Sequence, residues 1–208
     1  MQVRLTTERG PWTLPPDSAG LQRMEGQAVL ISAASVESPS QPAPDSMMAP
    51  WLADGPRFGL EDPAVARRGP AILGDERDPA RMAARLVAWV ADSIRRAPDP
   101  LVPRAATVLR ERQADVDGHT VLLVALARAS GLPARPVSGI LLAGERFYFH
   151  SWAEVYLGGW VPVDPTWGEF PATANRIRLG IGTLARPLDL LPLVAGLDAE
   201  LISLTQRP

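Results

Sequence analysis

The feature that most constrains the fold is an apolar stretch in the middle of the chain, residues 121–130. Valine, leucine and alanine fill nearly every position in it, so a helix built from it has no polar face. A helix that is apolar all round is buried inside a protein. Gly131 and Pro133 follow and are typical of the end of such a helix. The stretch therefore predicts a central helix enclosed by the rest of its domain.

A polar turn that contains a glycine, residues 114–120, leads into this helix. The N-terminus of a buried helix presents free N–H groups and a partial positive charge, which lower the pKa of a thiol or stabilise an oxyanion. The residue placed there is Val116, and the chain contains no cysteine. Disulfides, thiolate metal sites and a cysteine nucleophile are therefore excluded.

Composition excludes several further classes of function. The net charge of −2 on 208 residues predicts no nucleic-acid-binding surface. All 21 basic residues are arginines, which excludes Schiff-base chemistry and a P-loop lysine. The two histidines lie far apart in the sequence, so we expect no metal site and no cofactor. Because no apolar signal core follows residues 1–4 and no apolar run approaches the length of a membrane span, we expect a cytoplasmic protein that does not bind membranes.

The first 50 residues are predicted to be an extension. Residues 3–5 and 27–31 have the composition of strands, whereas residues 35–50 are rich in serine, proline and alanine and are typical of a linker. We therefore divide the chain into an N-terminal β extension with its linker, residues 1–50, and a main domain, residues 51–208. Oligomeric state is not indicated.

The main domain has helical patterns first and strand patterns after them. Residues 51–60 are predicted to dock as an extended apolar segment. Asp62 and Asp78 each precede a proline, as the N-cap of a helix often does. Further predicted elements are a helix over 104–112 and strands over 134–142, 147–157, 160–164, 176–179 and 198–204. For residues 187–194 the pattern is compatible with either a short helix or a turn. This order predicts an α+β fold in which a central helix packs on an antiparallel sheet.

The strand over 147–157 contains His150. Alternation along the strand places His150 and Trp152 on one face, and places Ser151 with smaller apolar residues on the other face, which we expect to pack on the central helix.

A glycine pair at 158–159 predicts a two-residue hairpin turn before the strand over 160–164. That turn would place Asp164 opposite Ala153 and within reach of His150. A histidine and an aspartate on adjacent strands, aimed at a helix N-terminus, is the arrangement that a thiol nucleophile needs.

Four ordered segments resemble bacterial transglutaminase-like proteins, a branch of the papain-like cysteine enzymes. They are Ala114-Asp115-Val116-Asp117-Gly118-His119-Thr120, Leu126-Ala127-Arg128-Ala129-Ser130-Gly131-Leu132-Pro133-Ala134-Arg135, Phe149-His150-Ser151-Trp152-Ala153-Glu154-Val155 and Gly159-Trp160-Val161-Pro162-Val163-Asp164-Pro165-Thr166. The resemblance covers residues 50–205 and implies the transglutaminase-like fold of that family.

The resemblance also implies roles for individual residues. In the family a Gly-Asp-Cys motif supplies the nucleophile, a His-Ala-Trp-like strand the histidine and a Val-Asp-Pro-Thr-like strand the aspartate. These positions fall on Val116, His150 and Asp164, and Ala114 replaces the glycine of the first motif. Residues beside these positions are candidates for lining a cleft: Asp115, Asp117, His119, Trp152 and Trp160. Structural roles are open for them too, above all for His119 near the helix start.

Valine has neither an ionisable proton nor a lone pair, so the resemblance predicts a chain that is inert in amide hydrolysis and transamidation. Thr120 lies about 6 Å further along the helix axis, and Ser151 faces away from His150, so neither replaces a thiol. The favoured interpretation is a pseudoenzyme whose residual cleft binds a peptide or protein segment through glutamine-like amides. One alternative is an active cysteine-dependent acyl-transfer or peptidase family in which Val116 is a sporadic or engineered replacement. The other is a structural protein that shares only the fold.

Overall fold

The structure, a computed structural model, describes residues 1–7, 20–26, 28–34, 36, 45–99, 101–182, 184 and 197–203. The helices are α1 (Asp45–Leu52), α2 (Pro63–Leu73), α3 (Pro79–Ser93), α4 (Ala105–Glu111) and α5 (Val116–Ala129). The strands are β1 (Gln2–Thr7), β2 (Gln22–Glu25), β3 (Ala28–Ile31), β4 (Arg95–Arg96), β5 (Gln113–Ala114), β6 (Ala134–Ala143), β7 (Arg146–Tyr156), β8 (Trp160–Val163), β9 (Arg176–Ile181) and β10 (Leu197–Ser203). Among these residues, none of the helices has both the length and the apolar character needed to cross a bilayer.

The predicted central helix is confirmed as α5. Residues 121–127 are completely buried and share one apolar core with α2, α3, α4 and the neighbouring strands. The helix begins at Val116, five residues before the apolar run, because Asp115 caps it. The Asp62 and Asp78 caps of α2 and α3 are confirmed as well, with carboxylate-to-amide distances of 2.8 Å and 2.9 Å.

The main sheet has the strand order β8-β7-β6-β9, with antiparallel pairing throughout. The α+β fold, with its central helix on an antiparallel sheet, is therefore confirmed. Ala153 and Val155 of β7 lie in the core around α5, as alternation along the strand predicts.

The predicted register of the β7–β8 hairpin is wrong by one residue. Ala153 lies opposite Val163, not opposite Asp164, and Tyr156 lies opposite Trp160. The turn contains three residues, because the Leu157 amide bonds to the Gly159 carbonyl at 2.9 Å and leaves the ladder. Asp164 consequently follows the end of β8 and is shifted one position further toward His150.

A second sheet, in the order β10-β1-β3-β2, packs on the main sheet. Val3, Val29 and Ile31 form a small core with residues of β6 and β9. The Gln22 side chain of β2 binds the main chain of Arg178, donating to its carbonyl at 3.0 Å and accepting from its amide at 2.8 Å. The first and last strands of the described chain pair in this sheet, and the division at residue 50 stays a prediction.

Residues 51 and 52 belong to α1 and are not extended, so the prediction of an extended segment is wrong at its start. The helical turns let Trp51 pack edge-on against Trp160, with ring centroids 5.7 Å apart. Residues 187–194 and most of the predicted linker lie outside the described residues.

Candidate functional site

The first residue of α5 is Val116, and the residue before it caps the helix. The Asp115 carboxylate accepts a hydrogen bond from the Gly118 amide at 2.9 Å. One turn further, the Thr120 hydroxyl donates to the Val116 carbonyl at 2.9 Å. Within the described part of the chain the Val116 amide has no hydrogen-bond acceptor, as expected for the first N–H of a helix. The helix start therefore presents a free amide and a partial positive charge.

His150 and Asp164 form a buried pair. His150 Nε2 lies 2.6 Å from Asp164 Oδ2, and the two side chains are 3% and 0% exposed. The other carboxylate oxygen, Oδ1, accepts a hydrogen bond from the Thr166 amide at 2.9 Å. Trp152 stacks on the imidazole with ring centroids 6.3 Å apart. Both members of the pair are therefore held in place by additional contacts.

A buried arginine completes this pair. Arg176 of β9 donates from Nη2 to Asp164 Oδ2 at 2.6 Å and lies 2.9 Å from Glu169 Oε2. Burial alone would raise the pKa of the Asp164 carboxyl, but the hydrogen bond and charge of His150, together with Arg176, hold this pKa below its ordinary value. Asp164 is therefore ionised at neutral pH and can fix the tautomer and orientation of the imidazole.

Asp117 connects the helix start with the strand that carries His150. Its buried carboxylate accepts a hydrogen bond from Ser151 and feels the charges of His150 and Arg57. Burial nevertheless raises the pKa of this carboxyl above its ordinary value. The N-terminus of α5 and strand β7 thus meet at the residue that follows Val116.

A groove of about 280 Å³ opens beside the start of α5. It is lined by residues 96–98, Asp115, Val116, Thr166 and Trp167. Trp167 is 51% exposed, and the Arg96 guanidinium lies 4.4 Å from its ring centroid. The groove therefore lies between the helix start and the loop that follows Asp164.

The part of the chain that carries this site matches the model of a known protein family. Residues 67–165, which include Val116, His150 and Asp164, match the family model described as the transglutaminase-like superfamily. The chain carries a transglutaminase-like domain.

Two solved structures share the transglutaminase-like fold. A candidate cysteine protease from Cytophaga hutchinsonii is 17% identical with a TM-score of 0.60, over 75% of this chain and 52% of that one. The periplasmic domain of TgpA from Pseudomonas aeruginosa is 18% identical with a TM-score of 0.53, over 68% of this chain and 53% of that one. This chain thus spans about half the length of each. Among curated proteins, none matches the chain.

His119 does not line the groove of the transglutaminase-like domain. It is completely buried, with Nδ1 2.7 Å from the Asp115 carbonyl and Nε2 3.2 Å from the Ile94 carbonyl. Its ring ties the start of α5 to the end of α3, which is the structural role left open for it in the sequence.

The two candidate tryptophans are also buried and lie outside the groove beside Val116. Trp152 is 2% and Trp160 is 7% exposed. The Arg135 guanidinium lies 3.9 Å from the Trp160 ring centroid and 2.6 Å from the Glu154 carboxylate. Glu154 is therefore paired with a buried arginine, and this face of β7 holds buried ion pairs.

Sequence reasoning missed four residues of the site: Arg96, Thr166, Trp167 and Arg176. Thr166 and Trp167 follow Asp164 so closely in the chain that their presence near it could have been predicted. No sequence pattern indicated that Arg176 belongs to the site, because an arginine in a strand ordinarily points toward solvent.

Acid is expected to destabilise the domain through Asp164. Because its pKa is lower folded than unfolded, its stabilising contribution is complete above the unfolded value of about 3.9 and is lost as pH falls through the folded value. Urea unfolding of the wild type and of Asp164→Asn, measured between pH 7 and pH 2, tests this. The stability difference between the two should be largest near neutrality and shrink in acid. A pH-independent difference would contradict the assigned ionisation.

Proposed function

We propose that this protein is a non-catalytic member of the transglutaminase-like superfamily whose cleft binds a peptide or protein segment. The observation that carries the proposal is Val116 at the first position of α5, where the family resemblance places the nucleophilic cysteine. The chain has no cysteine at any position. A covalent thioester therefore has no thiol from which to form.

The neighbouring hydroxyls support this proposal because each is committed elsewhere. The Thr120 hydroxyl is fully buried and donates to the Val116 carbonyl at 2.9 Å. The Ser151 hydroxyl bonds to the Asp117 carboxylate. Neither has the free, base-activated geometry of a nucleophile.

The test restores the thiol in a chain that has no other. Wild-type protein is expected to hydrolyse no amide substrate, measured with glutamine-containing peptides and ammonia release. In Val116→Cys, the iodoacetamide alkylation rate is followed against pH, with and without His150→Ala. We expect a thiolate that reacts well below a free cysteine's pKa of about 8.5 and loses this property with His150. Amide hydrolysis or an acyl-enzyme in the wild type would overturn the non-catalytic assignment.

A second candidate is an active cysteine-dependent acyl-transfer or peptidase family, with Val116 as an isolated replacement. The intact buried pair of His150 and Asp164, 2.6 Å apart, favours it. It predicts that Val116→Cys alone gives substrate turnover. If the protein has long served only for binding, the cysteine of this variant should instead react without turnover or show the reactivity of an ordinary thiol. A purely structural protein would bind no peptide in either form.

On sequence grounds we also propose a cytoplasmic location. Fractionation of cells that express the untagged full-length protein tests it, and recovery in the periplasm would contradict it.

A further inference from the structure

We infer that the groove beside Val116 binds an extended peptide through one large apolar side chain, preferably aromatic, next to a basic and not an acidic residue. This inference rests on the proposed function and names the ligand class of the same cleft. Three independent properties of the groove support it: its apolar walls, its unsatisfied polar groups and its charge.

The walls are apolar and include an exposed aromatic ring. The lining includes the apolar side chains of Pro98 and Val116 and the ring of Trp167. Trp167 is 51% exposed, and Arg96 covers its ring at 4.4 Å from the centroid, which restrains the ring's orientation. The volume of about 280 Å³ is slightly below the range for small-ligand pockets, which is appropriate for one large side chain. Burial of Trp167 against an apolar side chain would remove exposed apolar surface from water.

Two polar groups in the lining lack partners in the described structure. Thr166 is 5% exposed, and its Oγ1 has no hydrogen-bond partner. Its amide donates to Asp164 at 2.9 Å, so the residue is fixed in place. The Val116 amide at the helix start is also without an acceptor. A buried hydroxyl without a partner is unfavourable, and a peptide main chain offers both a donor and an acceptor.

The charge around Asp115 selects against acidic ligands. Burial is the main cause that raises the pKa of the Asp115 carboxyl, and the negative charges of Asp117 and Asp99 raise this pKa further. The cation in the lining, Arg96, is stacked on Trp167. Another carboxylate would add to this repulsion, whereas a basic residue would relieve it.

The experiment uses the full chain and four fluorescein-labelled peptides of the frame Gly-Ser-Arg-X-Ser-Gly, in which X is Phe, Leu, Ala or Glu. We expect the Phe peptide to bind the wild type at least about tenfold more tightly than the Ala peptide, and the Glu peptide to bind most weakly. Trp167→Ala should abolish the preference for Phe. Tyr148→Ala is the matched control, since Tyr148 is 52% exposed and does not line the groove.

Thr166→Val separates the polar contribution from folding. The variant removes the unpartnered hydroxyl, so we expect it to leave the midpoint of thermal unfolding unchanged or raise it, while all four peptides bind about three- to tenfold more weakly. Thr166→Ser keeps a hydroxyl and should retain affinity. Equal affinity in Thr166→Val and the wild type would remove this hydroxyl from the proposed contact.

Val116→Cys reports where the peptide binds. The Phe peptide should slow alkylation of this thiol, and it should not slow alkylation of Ala88→Cys on the exposed side of α3. If all four peptides bind equally and protect the thiol, the ligand class is wrong and the peptide-binding function stands. Preference for Phe without protection places binding elsewhere and overturns the inference. If none binds a correctly folded chain, both the inference and the proposed function fail.

Discussion

Arg176→Met is expected to lower the free energy of unfolding by about 3–5 kcal/mol. Arg176 is 4% exposed and lies 2.6 Å from the Asp164 carboxylate, which is itself completely buried. Methionine has a similar length but no charge, so the carboxylates of Asp164 and Glu169 would lose their buried cation. Removal of one partner from a buried ion pair leaves an uncompensated charge in a poorly polarisable interior. Urea unfolding at pH 7 measures the effect.

The chain offers a matched control at its surface. Arg4 and Glu200 are also 2.6 Å apart, but their side chains are 49% and 69% exposed. Arg4→Met should therefore cost less than about 1 kcal/mol, because water already screens the pair. The two variants remove the same kind of contact at the same distance, and they differ in burial. Equal losses of stability in both would contradict the explanation by burial.

The same substitution should alter the acid response. Arg176 is one of the groups that keep the pKa of Asp164 low. Without it the folded-state pKa of this carboxyl should move up toward its unfolded value, so Arg176→Met should lose less stability than the wild type as the pH falls from 7 to 2.

The parts of the fold that sequence predicts are those governed by local pattern. The burial of α5 follows from its apolar composition in every direction, and the starts of α2 and α3 follow from Asp-Pro pairs at Asp62 and Asp78. Strand alternation places Ala153 toward the helix. The hairpin pattern and the resemblance to the family both predict that His150 and Asp164 lie close together, and they lie 2.6 Å apart.

The buried ion network could not be predicted in this way. Arg176 and Arg178 alternate with apolar residues in β9, a pattern that indicates a solvent-facing side. That side is instead covered by the N-terminal sheet, including β2, which has no clear strand signal in the sequence. The partner of Arg178 on β2 is Gln22, 156 positions away. Burial of these arginines is thus a consequence of sheet packing, which no local pattern records.

The hairpin register and the groove could not be predicted from local sequence patterns either. One glycine pair is compatible with a two- or three-residue turn, and the choice depends on whether Leu157 stays in the ladder. The groove requires Arg96, which precedes α4, to meet Trp167, which follows β8. These segments are far apart in the chain, so no local pattern brings the two residues together.

Gly139→Ala is expected to destabilise the domain by about 3 kcal/mol or more, because the added methyl group has no space. A Cβ at this position of β6 would lie 2.1 Å from the Ile177 carbonyl oxygen and 2.8 Å from the Trp152 ring. The first is a main-chain atom of the neighbouring strand, which cannot move away without breaking the β6–β9 ladder. Gly139 pairs with His150 on the other side, so the distortion would act directly on the candidate site.

Gly180→Ala is the control, since Gly180 lies in the same pair of strands and a Cβ there would meet nothing within 4 Å. It should change stability by less than about 1 kcal/mol, in the stabilising direction, because alanine restricts the unfolded chain. Gly139→Ala should also shift the NMR signals of the His150 imidazole, because Trp152 stacks on that ring and β9 carries Arg176. The control should leave those signals in place. If Gly139→Ala unfolds at the same urea concentration as Gly180→Ala with an unchanged His150 spectrum, β9 does not approach β6 closely enough to hold Arg176 against Asp164.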